Sequence, residues 1–430
     1  MTAPLTSPTS SSANATLTKA KGPAPYALHD LILLPATAPE IVQQTWTNNM
    51  EEWAKGVPLE QYHARERHLA ATAFSSDNRL ITWILVPKAD ADVTEEYKTT
   101  TGDHGVRGGF DPKDFSKQNL ERILGAVETY ERPGIAATVG DETLHEVSSV
   151  SVASVYAPSR YRNHGYGKLM MRLLWEKIED MGASFTFLYS DLGPDFYGNF
   201  GWTARTSTEI VILPSLTLPA PPSMATSTMA TRASARTVEL ETVTEESLAV
   251  LIKHDSQLLR DHLKEKLREQ SDSAAAKKTT FVAVTPEVRC IQWLHARAWF
   301  NAKEIWKFQE PQIKDLSLGV YVTGTKDQFV LWHHDFTDDN LFILRWRIDS
   351  TITSDESDAI ALAFVEAAQQ EAKKWRLSKI VFWNGPVSLA NLLGLKVKQR
   401  HHSIPSLGLV KSDQDTNNVE WILNEKYSWC

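Results

Sequence analysis

Three features of the sequence predict an α/β fold with mixed sheets in two lobes. Strand-like runs alternate with amphipathic helical runs, one such pair is joined by a basic, glycine-containing loop, and a Pro-, Ala-, Ser- and Thr-rich stretch lies near mid-chain. A chain of 430 residues, 42% hydrophobic and 23% charged, is long enough for two cores of ordinary globular composition and calls for no membrane span. The formal net charge of −8 argues against a nucleic-acid surface, which needs concentrated Lys and Arg, but allows one small anionic ligand. Two cysteines, Cys290 and Cys430, are too few for a disulfide framework or a zinc cluster. They suit a reducing compartment, and a cytoplasmic location is expected. Residues 1–24 lack arginine and the apolar core of a secretory signal, and are expected to be a disordered tail.

In the first lobe, expected over 25–213, Ala27 to Leu34 reads as a strand and Ala38 to Ala54 as a helix. Leu80 to Val86 and Ile123 to Glu131 read as further strands. Val150, Val152 and Ser154 alternate with Ser149, Ala153 and Val155, the two-residue period of a strand with one buried face. From Gly165 onward Leu169, Met170, Leu173, Leu174, Ile178 and Met181 recur at helical spacing, with Gly182 placed as the glycine that ends the helix. "SFTFLYS" (Ser184 to Ser190) reads as a buried strand, and Glu209 to Leu213 as a strand closing this lobe. Residues 214–236 are expected to be a linker. The second lobe, 237–430, repeats the later order: strand "LFILRWRID", helix Glu356 to Lys374, strand "KIVFWN", short helix Val387 to Leu393, then strands "LGLKV" and "SLGLV". It reads as a degenerate internal duplication without the basic glycine loop.

The loop carries the chemistry. It gathers helix N-terminal N–H groups, the positive end of the helix dipole and the side chains of Arg160, Arg162, His164 and Lys168 around one small volume. Gly165 and Gly167 have no side chain to hold the backbone away from a phosphate, and Arg162 adds forked donors. There is no Gly-Lys-Ser/Thr ending and no three-glycine dinucleotide fingerprint, and by itself the motif is equally an ordinary strand-to-helix connection.

Strand, Arg162-x-x-Gly165-x-Gly167, helix, strand and then "FYGNFGW" with Tyr197 resemble the acetyl-CoA-dependent N-acetyltransferases of the GNAT superfamily, over Ala27 to Leu213. "AVETYERP", "ASVYAPSRYRNHGYGKLM", "LYSDLGPDFYGNFGW", "IQWLHARAWF", "VLWHHDF" and "VEWILNEKYSWC" are similar, across both lobes, to the fungal L-lysine N6-acetyltransferase family. The first resemblance implies a GNAT fold in the N-terminal lobe and acetyl-CoA as co-substrate. Its pyrophosphate would lie on Arg160, Arg162, Asn163, His164, Gly165, Tyr166, Gly167 and Lys168, and its thioester carbonyl against backbone N–H groups near Ala153 to Val155. It also implies Tyr197 as the proton donor to the leaving thiolate. The second implies acetylation of the side-chain amine of free lysine in lysine catabolism. Ser190 stands where the superfamily often has asparagine, seven residues before the tyrosine.

A lysine side chain, with a pKa near ~10.4, must lose a proton before it attacks. Glu128 is the first choice of base, followed by His145 and Glu146, although all three also read as surface charges. Asp191 either binds the lysine ammonium or caps the next turn. Arg132 pairs with a substrate carboxylate or lies at the surface. In the second lobe Trp332, His333, Asp335 and the terminal carboxylate of Cys430 are candidate acceptor-pocket groups, against the alternative that the tail only completes a sheet. No metal site is expected, since "WHHDF" and His401-His402 bring no third ligand, and both cysteines are expected to be inert. Three readings stay open on the residues: a free-lysine acetyltransferase, an acetyltransferase for another amine (a polyamine, an aminoglycoside or a protein lysine), and a non-catalytic acyl-CoA-binding protein. No nucleic-acid or membrane partner is expected.

Overall fold

Two mixed sheets form the molecule, and among the described residues the first takes three strands from the second half of the sequence and the second takes one from the first. The computed structural model describes residues 24–91, 117–141, 143–219, 238–271, 279–410 and 418–430. The expected N-terminal tail and most of the expected linker lie outside them. The strands of the first half are β1 (Leu31–Pro35), β2 (Leu80–Pro87), β3 (Gly125–Thr138), β4 (His145–Tyr156), β5 (Phe185–Ser190), β6 (Thr203–Ala204) and β7 (Thr208–Ile212). Those of the second are β8 (Leu240–Thr242), β9 (Thr280–Val284), β10 (Gly319–Val322), β11 (Phe329–Asp335), β12 (Asn340–Arg347), β13 (Lys379–Trp383), β14 (Lys398–Gln399), β15 (Ile404–Leu409) and β16 (Val419–Ile422).

The first sheet runs β1-β2-β3-β4-β5-β15-β6, with β9 on β3 and β16 on β9. The second runs β14-β7-β13-β12-β11-β10-β8. In the first, β3/β4 are antiparallel, β4/β5 parallel and β5/β15 antiparallel. The second repeats this with β11/β12, β12/β13 and β13/β7. The duplicated order is therefore present, with the last strand exchanged. Glu209 to Leu213, expected to close the first lobe, lies instead in the second sheet, and the "SLGLV" strand lies in the first. Both stretches are short apolar runs, whose periodicity specifies a strand but not its neighbour. "LGLKV" forms no strand; only Lys398–Gln399, just beyond it, pairs there.

Helices α1 (Pro39–Trp53), α2 (Leu59–Ala70) and α3 (Tyr166–Asp180) belong to the first half. Helices α4 (Glu245–Ser271), α5 (Val288–Phe300) and α6 (Ser354–Lys374) belong to the second. The apolar stripe of α3 is buried as its spacing predicts: Leu169, Met170, Leu174 and Ile178 pack with Val150 and Val152 of β4. Gly182 follows in the left-handed region at φ +75°. β4 departs from expectation on its other face, where Ser149 and Ser151 are as buried as the valines. The cover is the end of the chain: the Ser151 hydroxyl lies 3.2 Å from the Cys430 thiol, and Ser149 donates to the Arg132 carbonyl at 3.0 Å. Small serines leave room for that second layer. A different kind of fit occurs at Gly134 of β3, where a Cβ would come within 2.7 Å of the Phe185 ring.

The two sheets differ at the helix that follows the middle strand. Thr353 caps α6 through a reciprocal box with Glu356, and Asp355 and Glu356 fill its first turn. That satisfies the free N–H groups and repels anions. The N-terminus of α3 carries no side-chain cap and no acid in its first turn. Among the described residues no helix is long and apolar enough to cross a membrane.

Because β9, β15 and β16 complete the first sheet while β7 sits in the second, residues 24–219 expressed alone are expected to lack a cooperative unfolding transition. The full chain should show one, and thermal unfolding followed by circular dichroism compares the two.

Candidate active site

The centre of the candidate site is a break in the pairing of β4. Toward β5, β4 is paired only over Ser149–Val152 against Phe185–Leu188, so its edge from Ala153 onward has no strand partner among the described residues. Toward β3, the register jumps between Ala126↔Tyr156 and Glu128↔Ala153. Ser154 and Val155 thus oppose the single residue Val127, a β-bulge in which Ser154 takes φ +53°. A left-handed serine is uncommon and is held here by its own side chain, which donates to Glu128 Oε2 at 2.7 Å.

Glu128 is buried, and burial pushes its carboxyl up to about 7. Hydrogen bonds from Ser154 and Trp46 act against that shift, and the charge of Glu66 on α2 acts with it. A carboxylate poised near neutrality beside an unpaired strand edge can accept a proton. The other two candidate bases lie at the opposite end of β4. His145 is exposed, 3.7 Å from Asp141, and Glu146 bonds Arg260 at 2.6 Å.

The C-terminal end of β4 leads into the glycine loop. Asn163 (φ +68°) and Gly165 (φ +83°) are left-handed, and the first intrahelical bond of α3 runs from Leu169 N–H to Gly165 O. The N–H groups of Tyr166, Gly167 and Lys168 therefore have no intrahelical acceptor. A Cβ on Gly167 would meet nothing within 4 Å, so the protein leaves open the space that a phosphate needs. The side chains are less free than the motif implies. Arg162 donates to Ala157 O (2.9 Å) and Glu52 (3.0 Å) and lies over the Tyr156 ring, while Arg160 donates to Glu121 O at 2.9 Å. Tyr166 buries its ring and bonds the Tyr26 backbone, leaving only its N–H for a ligand. His164 lies 5.7 Å from that ring, and Lys168 is exposed. The loop is a backbone cradle with a basic rim.

Tyr197 opens a 3-10 turn after β5 and is buried in the cluster that contains Val152, with Val155 packed against it. Its hydroxyl makes no hydrogen bond among the described residues. Burial raises its pKa, with Asp191 adding to the shift, so the hydroxyl holds its proton at neutral pH. Ser190, in the place of the usual asparagine, is turned inward, donating to Gly193 O at 2.7 Å.

The end of the chain lies on the opposite face of this region. Arg132, a surface residue in one expectation, is fully buried: Nε bonds Glu287 at 2.6 Å, Nη1 bonds Ser428 O at 2.9 Å, and the guanidinium lies over Phe74. Arg345 holds the same segment from the other side, with a forked pair to Asp255 (2.8 Å each) and a bond to Glu425 at 2.9 Å. Cys430 then reaches Ser151, three residues before the bulge.

Residues 223–430 match the family model described as the LYC1 GNAT-like C-terminal domain. A lysine acetyltransferase of Yarrowia lipolytica (strain CLIB 122 / E 150) is 22% identical, over 92% of this chain and 98% of its own length. Among solved structures, a GCN5-related N-acetyltransferase from Kribbella flavida is 15% identical with a TM-score of 0.44, covering 88% of this chain and 72% of its own. One from Anabaena variabilis ATCC 29413 is 10% identical with a TM-score of 0.47 and the same coverage.

The remaining candidates are placed unequally. Trp332 lies in the second core, its indole N–H on Ser317. His333 is buried, and burial, then the charge of Lys426, lowers its pKa. Asp335 caps a turn through Thr337 N (3.0 Å) and Asp338 N (3.1 Å). Asp191 also holds a turn, accepting from Ser403 N at 2.7 Å. Cys290 donates to Tyr427 O, and burial raises its thiol to about 12. Among the described residues no group of three His, Cys, Asp or Glu side chains is placed to hold a metal ion. Ser154, Tyr62, Glu66 and Arg297 were not singled out from the sequence. The helical spacing of "LEQYHARERHLA" was a readable signal for α2, but nothing local showed which β-strand it would face.

Arg132→Ala is expected to lose about 3–5 kcal/mol of stability, because it strands buried Glu287 and frees the chain end. Urea denaturation measures it.

Proposed function

We propose that this GNAT-type chain is an acetyl-CoA-dependent acetyltransferase, and that its acceptor is the N6 amine of free L-lysine. The observation that carries the reading is the juxtaposition at one end of β4 of an unpaired strand edge, a buried carboxyl with a pKa near 7, and an uncapped helix N-terminus. The glycine loop takes the pyrophosphate of the coenzyme. The thioester carbonyl lies along β4 beyond Val152, where backbone N–H groups can stabilise the negative charge that develops on its oxygen. Glu128 takes a proton from the incoming ammonium, and the neutral amine attacks the carbonyl carbon to form a C–N bond. The C–S bond then breaks, Tyr197 gives its proton to the departing thiolate, the second proton leaving the amide nitrogen restores the Tyr197 hydroxyl, and Glu128 releases its proton to solvent. No acyl-enzyme is needed.

Two things support lysine as the acceptor. The Yarrowia lipolytica relative, similar along nearly its whole length, carries the name lysine acetyltransferase. The chain end and α5 also cover the Glu128 face of β3, which favours a small acceptor over a protein segment. Thiol release from acetyl-CoA against L-lysine, polyamines, an aminoglycoside and a lysine-containing peptide tests the reading. Turnover with L-lysine well above the others is expected, and its absence with L-lysine overturns it.

The base must be ionised to act, so kcat/KM for lysine is expected to rise with pH through about 7 and then level. Glu128→Gln should remove that limb and lower the rate by roughly 10²- to 10⁴-fold. Tyr197→Phe should lower turnover by a similar ~10²- to 10⁴-fold factor at saturating substrates, with acetyl-CoA affinity measured by calorimetry unchanged.

A further inference from the structure

Beyond Glu128, on the same face of β3, stands Tyr130, and from it a wall of rings leads to an arginine pair. Tyr130 meets Trp293 of α5 at 6.3 Å, Trp293 meets Trp429 at 6.5 Å, and Arg297, one turn further along α5, lies over Trp429 at 5.7 Å. Facing α5 across the same corner is α2, with Arg65 over the Tyr62 ring at 4.8 Å. Arg65 gives Nε and Nη2 to Glu66 (2.9 and 2.7 Å), while its Nη1 is buried with no partner. Half-buried Arg297 makes no hydrogen bond or ion pair among the described residues.

Glu66 is thus committed to Arg65, and no carboxylate among the described residues is bonded to Arg297. Burial, and after it the like charge of Arg65, disfavours the cation on Arg297; Asp335, Glu66 and Tyr62 act in the opposite direction. Leu69 of α2, Trp293 of α5 and Tyr130 of β3 pack in one cluster, so the two helices that carry the arginines meet on the Glu128 face of β3, and the hydroxyls of Tyr62 and Tyr130 each sense Glu128, Glu66 and Arg297. Desolvated donors without an acceptor are costly, and a carboxylate is the anion whose geometry matches them.

We infer that Arg297, together with the spare Nη1 of Arg65, binds the α-carboxylate of the acceptor, so that the site selects an amino acid over a simple diamine. The inference rests on the acetyltransferase reading. An extended diamino acid would then span the corner, its carboxylate on the arginines, its methylenes against Tyr130 and Trp293, and its terminal amine toward Glu128. Arg132, the partner expected from sequence, cannot serve, being occupied by Glu287 and Ser428.

Calorimetric titration of the full chain with L-lysine and with 1,5-diaminopentane, which differ only in the carboxylate, separates the possibilities. The parent is expected to prefer L-lysine by roughly 10- to 100-fold, the range for one or two charged hydrogen bonds. Arg297→Gln should erase that preference while leaving diamine affinity and the thermal midpoint in place, and Arg297→Lys should restore part of it. No preference in the parent, or a preference kept in Arg297→Gln, overturns the inference. If Arg297→Gln does not fold, Arg297→Lys decides, and an undiminished preference there counts against the fork. A parent that prefers L-lysine yet releases no thiol from acetyl-CoA overturns the enzyme reading and leaves the carboxylate site standing.

Discussion

Everything proposed about this protein depends on one edge of β4, which pairs with β5 up to Val152 and has no strand partner beyond it among the described residues. Over Ser149–Val152 it lies between β3 and β5 as an ordinary interior strand. Past Val152 it parts from β5, and the bulge opposite Val127 turns its backbone further. A buried strand edge is a liability unless something occupies it, because unsatisfied N–H and C=O groups cost free energy. In the proposed reaction the same feature gives a thioester a place to bind through backbone alone. Ser154 couples the two roles: its left-handed backbone forms the bulge and its hydroxyl holds the carboxylate next to it.

The second lobe explains how such a break is tolerated. β15 pairs with β5 up to Ser190, so β5 is held rigidly after it has left β4. That strand comes from the far end of the sequence, and β7 is given to the second sheet in return. Strand exchange makes the lobes one folding unit and places the chain end against β4. Arg132 and Arg345 fix that end with buried ionic contacts. Such contacts add little net stability relative to apolar packing, but they specify a single position for the segment. The second sheet repeats the first in order, yet the N-terminus of α6 is closed by its own Thr353 and Glu356. One lobe has an uncapped helix N-terminus behind its glycine loop and the other provides covering structure.

Much of the first lobe was legible locally. The strand, glycine loop and α3 were readable because period-two and period-3.6 patterns follow from backbone geometry, and because left-handed positions favour Gly and Asn. Glu128 could be named but its state could not. A carboxyl on a strand is usually solvated, and only the cover supplied by α1, α2, α5 and the chain end raises its pKa. Arg132 and Arg297 illustrate the limit from both sides. The two arginines are chemically identical in the sequence, but one is spent on structure and the other lies over Trp429 with no hydrogen bond or ion pair among the described residues.

By itself, the sequence determined where α1, α3 and α6 and the strands beside them form, where the glycine loop sits and which tyrosine follows β5, since these depend on neighbours within a few residues. The tertiary structure alone decided which sheet each short apolar strand joins, which face of β4 is covered, and which charged groups meet around the bulge. These outcomes depend on contacts between residues hundreds of positions apart, such as Arg132 with Ser428 and Ser151 with Cys430. No local pattern encodes them, because burial and pairing energies are properties of the packed chain rather than of any segment.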